Sequence, residues 1–298
     1  MAKLPKRQLY VEIEKLDRNG NREFLKTFEN SLNVKFNFIK YIGNIMAGDG
    51  TVSLCGLDNK TIEALTSIGQ YDTEIAKRRI IRVKAGYEGQ ELGLMINGTI
   101  KTAMPTVPPD IWLNCGVINN LEARENNNYA FATKEAMKLP DYIKSIADYL
   151  NLKIENRIKD ENILSQIVSK QSISGNLFDI VYSISDAAEK ITAYIENETL
   201  IIDYREEPPE GDERYSNPIE VNKDTGMVGL PEIFNAGIQA NITTLLNTSI
   251  KTGNIINLTS SQIPAANGKY YVVGITYTGD YRGNAWYSMF HCRRAYNG

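Results

Sequence analysis

Residues Gly268–Arg294, GKYYVVGITYTGDYRGNAWYSMFHCRR, carry a clear local structural signal. Two β-prone runs flank a short segment that contains Gly279, Asp280 and Gly283. A phosphate-cradling loop would lie between a strand and a helix, whereas here a second aromatic, β-prone run follows. Glycine and aspartate between two such runs are typical of a hairpin turn. We therefore predict an antiparallel hairpin here, not a ligand-binding loop.

The second run of this hairpin has two distinct faces, because successive side chains of a strand point to opposite sides. One face carries Trp286, Ser288, Phe290 and Cys292. The other face carries Tyr287, Met289, His291 and Arg293. His291 is the only histidine in the chain, and its neighbour Cys292 would face away from it. A nucleophile–base pair needs both side chains on one side, so we interpret His291 as structural.

The same alternation recurs in both outer thirds of the chain. It occurs in QLYVEIE (8–14), LNVKFNF (32–38), RIIRVKA (79–85) and GIQANITTLL (237–246). This pattern is typical of strands with one buried face and one solvent-exposed face. Turn signals at 17–21 and 47–50 suit hairpin connections, and Asp58 is a candidate N-cap for a short helix over 59–68. Each outer third is therefore predicted to be mostly antiparallel β.

The middle of the chain, residues 126–205, follows a helical period instead. Pro140 lies early in a predicted helix over 139–151, whose apolar residues fall on one stripe. A second helix is predicted after Gly175, and a hairpin follows that turns near Asn197 and Glu198. These elements predict a small α+β domain.

The outer β regions have similar layouts. Each has a short apolar strand, IIRV (80–83) or IINL (255–258), followed by a strand interrupted by glycine, LMINGTIKT (94–102) or YVVGITYT (271–278). The acidic, proline-containing segment 205–218 is interpreted as a solvated linker or long loop. The predicted fold class is mainly β with an α+β insertion, and the predicted domains are 1–125 (β-barrel), 126–205 (α+β) and 206–298 (β-barrel).

Composition excludes several classes of function. The 298 residues are 42% hydrophobic and 23% charged, with a net charge of −3, as is typical of a globular chain without a duplex-binding surface. No apolar run approaches the ~20 residues of a membrane span. The basic N-terminus passes straight into alternating residues, so we expect no signal peptide.

The sequence indicates no catalytic residues, no cofactor-binding residues and no metal site. The three cysteines, Cys55, Cys115 and Cys292, are far apart and odd in number, which favours free thiols over disulfides. The acidic clusters lack the spacing of a calcium loop. A carboxylate pair across a cleft, as in glycosidases, stays open because 36 acidic residues are available. The many tyrosines favour sheet packing or subunit contact over stacking on single-stranded nucleic acid.

Two long segments, Thr225–Ser261 and Gly268–Arg294, resemble the baseplate hub proteins of contractile-tailed bacteriophages, a tail-tube-like family related to the hub domains of type VI secretion spikes. The segment 81–100 is similar to the hub and tail-tube pattern of an Ala-Gly-Tyr turn before a strand that ends in Gly-x-Ile. The structural signature positions carried by the resemblance are Ala85, Gly86, Tyr87, Gly98, Gly226, Gly229, Pro231, Gly253, Gly279, Asp280, Gly283 and Trp286.

The resemblance implies a non-enzymatic virion protein with two tail-tube-like barrels in each chain. Three chains would form a homotrimeric ring of six barrels, which fits a six-fold tail tube onto a three-fold spike. The implied partners are the tail tube or a tube-initiator protein, the central spike protein and the tape-measure protein, with no sequence-specific nucleic acid. The implied location is the phage tail baseplate, assembled in the cytoplasm of the bacterial host.

Two alternatives remain open at this point. The chain could be the equivalent hub component of a tailocin or a type VI-like injection machine. It could also belong to another class, a tail-associated cell-wall hydrolase or carbohydrate-binding module.

Overall fold

The computed structural model describes residues 5–16, 21–42, 49–66, 79–107, 110–119 and 128–295. Within these ranges, no helix is both long and apolar enough to cross a bilayer. The turns predicted at 17–21 and 47–50 lie largely outside the described residues and stay predictions. The three cysteines are free thiols, as expected from their spacing.

The described residues form twenty strands and five α-helices. The strands of the first region are β1 (Arg7–Leu16), β2 (Arg22–Glu29), β3 (Asn33–Tyr41), β4 (Asp49–Cys55), β5 (Arg79–Tyr87), β6 (Gly93–Pro105) and β7 (Trp112–Asn119). Those of the middle region are β8 (Tyr129–Ala132), β9 (Met137–Lys138), β10 (Lys153–Asn156), β11 (Ile167–Val168), β12 (Ser172–Gly175), β13 (Ile191–Glu196) and β14 (Thr199–Tyr204). The last region has β15 (Ile219–Val221), β16 (Glu232–Phe234), β17 (Gln239–Leu245), β18 (Ile255–Leu258), β19 (Gly268–Asp280) and β20 (Trp286–Arg294). The helices are α1 (Asn59–Thr66), α2 (Leu139–Leu150), α3 (Glu161–Leu164), α4 (Leu177–Ala187) and α5 (Glu213–Ser216).

One large sheet contains strands from both ends of the chain. Its path is β16-β17-β20-β19-β3-β4-β7-β6-β5-β1-β2, and β18 and β15 branch from β19. Neighbouring strands along this path are antiparallel. The pairing of β3 with β19 joins the first region to the last, with Phe36 opposite Gly279. The mainly β fold class is thus confirmed, and the structure adds that the two outer regions share one continuous sheet.

The predicted alternation sets which face of each strand is buried. In β3, Val34, Phe36 and Phe38 enter the core while Lys35 and Asn37 remain exposed. In β20, the face that begins with Trp286 is buried, as the sequence predicts. These side chains and their counterparts on the neighbouring strands form one continuous core.

The middle region has a second core, built from residues between 131 and 204. Helix α2 begins with Pro140, and α4 begins with a capping box in which Asn176 and Asp179 bond to each other's backbone. The β13–β14 hairpin turns at Asn197 and Glu198, both with positive φ, which suits the right-handed twist of a two-residue hairpin. The predicted helices and hairpin are therefore confirmed.

The segment 205–218 differs in part from the prediction of a solvated linker or long loop. Its second half forms the single turn of α5, with Asp212 as its N-cap. Asp212 and Tyr215 are both buried. The solvated reading is wrong in this half because Asp212 pairs with Arg214, a contact that composition alone does not reveal.

The short helix after Asp58 is confirmed as α1. Asp58 Oδ1 accepts a hydrogen bond from Thr61 N at 2.8 Å, which caps the first turn. Helix α1 is described to Thr66, and the last two residues of the predicted span lie outside the described part of the chain.

Candidate assembly site

The segment Gly226–Phe234, which carries three of the signature positions, forms one outer edge of the large sheet. It hydrogen-bonds to β17 on both sides of a bend. Gly226 and Gly229 have left-handed backbones (φ +101° and +71°), and Pro231 follows them. The left-handed region favours glycine because it lacks a Cβ, and proline removes a backbone donor. The segment therefore pairs with β17 in two short stretches, one on each side of the bend.

Four large apolar side chains are exposed along this edge, between 37% and 49% of their surface. We call this set the apolar edge: Leu230, Ile233, Phe234 and Ile238. Alternation along 238–242 predicts that Ile238 shares a face with buried Ala240, yet it is exposed because a 3₁₀ turn, Asn235–Gly237, precedes it. Four exposed large apolar side chains within nine residues of a sheet edge favour a protein-binding surface.

The opposite end of the sheet is β2. Among the described residues, β2 pairs on one side only, with β1. Its Phe24 and Phe28 pack partly against the core, whereas Leu25 is exposed. In the described part of the chain, β2 is therefore the last strand at this end of the sheet, and edge strands of this kind favour pairing with another chain.

Arg7 in β1 holds the turn of the β19–β20 hairpin. Its Nη1 donates to Asp280 O at 3.0 Å and to Gly283 O at 2.7 Å, and Nη2 donates to Asn284 O at 3.2 Å. Gly283 N also donates to Asp280 Oδ1 at 2.9 Å. The hairpin predicted from the sequence is present, and the carbonyls of its turn bind a cation of the same chain. This arrangement is the reverse of an anion-binding loop, which presents N–H groups.

Gly279 lies in β19 itself, one residue before that turn begins. A Cβ at this position would lie 2.2 Å from the Phe36 ring on β3. Phe36 in turn packs edge-on against Trp286, with ring centres 5.4 Å apart. Glycine is required here because the aromatic ring of the neighbouring strand occupies the space of a side chain.

The first-region signature positions lie in strands rather than in a turn. Ala85, Gly86 and Tyr87 are the buried end of β5, paired with β1, and the turn follows at Gly89 (φ +83°). The prediction of an Ala-Gly-Tyr turn is therefore displaced by a few residues, because pairing with β1 extends the strand. Gly98 lies inside β6, where that strand changes partner from β5 to β7.

His291 has a structural environment, as its isolation in the sequence indicates. Its Nε2 lies 2.9 Å from Thr276 Oγ1, its Nδ1 lies 2.9 Å from Asn241 Oδ1, and its ring stacks on Tyr41. Burial lowers the pKa of His291 and raises the pKa of the Cys292 thiol, which faces the core. In the described ranges, no three His, Cys, Asp or Glu side chains are grouped as a metal site.

A buried ion cluster joins the middle region to the large sheet. Asp203 of β14 is fully buried and accepts from Arg157 Nη1 at 3.1 Å and from Arg214 Nη1 at 3.0 Å. The same two nitrogens donate to backbone carbonyls of the last region, Thr252 O at 2.8 Å and Gly253 O at 3.0 Å. We call these residues the joint cluster. One carboxylate thereby positions two arginines that hold the two cores together.

The model of the family described as baseplate hub gp41 matches residues 11–292, which includes both outer regions and the middle region. The chain belongs to the baseplate hub gp41 family. This membership confirms the resemblance read from the sequence. The family is one of structural proteins of the phage baseplate.

Solved structures share the fold at very low sequence identity. The 43 kDa tail protein of prophage MuSo2 from Shewanella oneidensis superposes with a TM-score of 0.59 at 8% identity, over 95% of this chain and 96% of that chain. A tail protein of Neisseria meningitidis gives 0.56 at 7% identity, over 95% and 96%. An E. coli type VI secretion component gives 0.55 at 8% identity, over 89% and 74%. No curated protein sequence matches significantly. These likenesses establish the hub chain's fold as that of tail and spike-related proteins.

The joint cluster was missed by sequence reasoning. The signal available was Asp203 itself, an acidic residue inside the apolar strand run LIIDY. A carboxylate in a buried strand needs a partner, so its position could have indicated a buried ion pair. Its partners Arg157 and Arg214 lie on other elements, and nothing in their local sequence distinguishes them from surface arginines.

Gly253 is the signature position at which this hub chain touches the joint cluster. It has φ +86°, and an added Cβ would lie 2.5 Å from Arg157 Nη1 and 2.6 Å from Asp203 Oδ2. We expect Gly253→Ala to lower the free energy of unfolding by about 2–4 kcal/mol, because left-handed strain adds to displacement of the cluster. Urea denaturation measures the change.

The matched control for that substitution is Gly229→Ala. Gly229 also has a left-handed backbone, but no atom lies within 4 Å of its Cβ position. Backbone strain alone predicts a loss of about 1–2 kcal/mol for Gly229→Ala. Equal losses at the two glycines would contradict a role of Gly253 in making room for the cluster.

Proposed function

We propose that this hub chain is a non-enzymatic subunit of a homotrimeric ring, which adapts the six-fold tail tube to the three-fold spike. The observation that carries the proposal is the path of the large sheet, which among the described residues ends at β2 on one side and at the apolar edge on the other. In a head-to-tail ring, the apolar edge of one copy meets β2 of the next. Such heterologous contacts satisfy both edges and stop growth when the ring closes.

Continuity of the sheet supports a ring to which each chain contributes both of its outer regions. Because β3 pairs with β19, each copy contributes strands from both outer regions side by side. If residues 1–125 and 206–298 are twin tube-like units, with 126–205 between them, three chains supply six units around the ring. The twin relation and these domain borders are part of the proposal.

The proposed partners follow from family membership. The ring would contact the tail tube or a tube-initiator protein on one side and the central spike protein on the other, with the tape-measure protein in its lumen. Among similar structures is VgrG in complex with PdpA from Francisella, of which this chain spans 53% with a TM-score of 0.56. The proposed location is the baseplate of the virion, after assembly in the host cytoplasm.

Light scattering at micromolar concentration tests the ring. We expect the wild-type hub chain to have three times the chain mass, either alone or, once the mass of the bound spike protein is subtracted, in complex with its spike protein. Phe234→Asp should reduce the mass threefold, because the contact would bury an unpaired charge in the apolar edge. Tyr182→Asp is the control, since Tyr182 is an exposed aromatic on α4 of the middle region. A wild-type chain that stays monomeric with and without the spike would contradict the proposal.

The second candidate is the equivalent hub of a type VI-like injection machine or a tailocin. It is favoured by the similarity of the fold to the E. coli type VI secretion component. The two candidates share the same ring chemistry, so gene neighbourhood separates them: tube, sheath and capsid genes together would indicate a phage.

A further inference from the structure

A cavity of about 570 Å³ lies where the three regions of the chain meet. The first region contributes Lys40 and Lys84, the middle region contributes Arg157 and Glu196, and the last region contributes Lys251. Small-molecule sites in proteins typically have volumes of about 300–1,000 Å³. The cavity is therefore large enough for an organic ligand, and a ligand in it would touch all three regions at once.

The charged groups of the wall are mostly cationic once the internal ion pairs are counted. The lining includes four cations, Lys40, Lys84, Arg157 and Lys251, and three carboxylates, Glu91, Glu155 and Glu196. Two of the carboxylates are already bound, Glu196 by Lys40 Nζ at 2.7 Å and Glu155 by Arg157 Nε at 2.8 Å. The remaining wall charges are Lys84, Lys251 and one carboxylate, which gives the cavity a net positive charge.

The environment of Glu196 shows the strength of this positive field. Burial alone would raise its pKa, but Lys40, Arg157 and Lys251 reverse that effect and hold the pKa of Glu196 below its usual value. Three cations thus converge on a single carboxylate. The side chain of Lys40 is almost completely buried, so its charge is little screened by water.

Neutral donors complete the wall. Tyr277 lines the cavity from β19, and burial raises its pKa, so its hydroxyl remains protonated. Ser249 and Thr248 lie on the loop that precedes β18. Lys84 lines the cavity from β5, and its ammonium group lies 5.7 Å from the ring centre of Tyr10. Ammonium and hydroxyl groups in one cavity wall suit a ligand with several negatively charged oxygens.

We propose that this cavity binds a small organic polyanion carrying two or more carboxylate or phosphate groups. The ligand bridges Lys84 of the first region and Lys251 of the last region, beside the middle-region residue Arg157. Binding therefore fixes the middle region against the large sheet. This site is separate from the sheet edges that the proposed ring uses. The test of ligand binding therefore does not depend on the oligomeric state.

Calorimetric titration and thermal unfolding of the full chain test the site, with citrate and pyrophosphate as the two probes and sodium chloride holding ionic strength constant. A ligand bound only to the folded state at about tenfold above its Kd stabilises this state by about 1.4 kcal/mol, which raises the Tm of a chain of this length by about 2 °C. We expect this rise for at least one probe in the wild type. A response to citrate alone assigns carboxylate ligands, and a response to pyrophosphate alone assigns phosphate ligands.

Substitution of the two lysines separates specific binding from general salt effects. Lys84→Met and Lys251→Met keep the length of the side chain without its charge, and each should weaken binding at least tenfold. Lys223→Met, in the exposed turn after β15, is the control and should bind as the wild type does. Citrate and phosphates also stabilise proteins by exclusion from the surface. An equal rise in all four proteins, or no rise in the wild type, would overturn the proposal.

Discussion

Asp203→Ala is expected to lower the free energy of unfolding by about 3–5 kcal/mol, the range found when one partner of a buried ion pair is removed. Asp203 is fully buried, and Arg157 and Arg214 both donate to it. Without the carboxylate, the two guanidinium groups lose the counter-charge that they share, and each keeps one other carboxylate partner, Glu155 for Arg157 and Asp212 for Arg214. The energetic loss combines the missing counter-charge with the lost hydrogen bonds at a site where burial restricts access to water.

Urea denaturation followed by circular dichroism measures this loss. Asp224→Ala is the matched control, because Asp224 lies in the exposed turn after β15 and should change stability by less than about 0.5 kcal/mol. Asp203→Asn keeps the shape of the side chain and an acceptor oxygen, so its effect should fall between the two. A loss below 1 kcal/mol for Asp203→Ala would mean that water reaches the arginines and that the joint cluster does not hold the cores together.

Trp286→Ala is expected to lower the free energy of unfolding by about 3–5 kcal/mol as well, the range for deleting a large aromatic side chain from a core. Trp286 is 1% exposed. Its ring packs edge-on against Phe36 of β3 and lies 5.2 Å from the Arg7 guanidinium of β1. The substitution therefore leaves a cavity where the two ends of the chain meet, and it removes a cation–π contact.

The other tryptophan of the chain provides the control. Trp112 at the start of β7 is only half-buried, with Lys35 over its ring, so Trp112→Ala should cost about 1 kcal/mol or less. Trp112→Phe leaves Trp286 as the only tryptophan, and its fluorescence then reports unfolding of this part of the sheet. Equal losses from Trp286→Ala and Trp112→Ala would show that the contact between the chain ends contributes little.

Several elements of the fold could be predicted because their signals are local. The β19–β20 hairpin is encoded by alternation on both sides of a Gly/Asp segment, and α4 by its asparagine cap and apolar stripe. Gly253 is a signature position of the resemblance, yet the reason for glycine there lies in Arg157 and Asp203, which come from distant elements. Similarly, alternation predicts that Ile238 shares the buried face of its strand, and the 3₁₀ turn before it leaves it exposed.

The sequence by itself determined the strands, their buried faces, the helical middle region and the family, because periodicity, caps and turn residues act over a few neighbouring positions. Only the tertiary structure decided that β3 pairs with β19, that Asp203 joins the two cores, and that four cations meet around one cavity. The physical reason is that strand pairing and charge compensation depend on which distant segments pack together. The free energy that favours this packing is distributed over many residues, so no single stretch of the sequence encodes it.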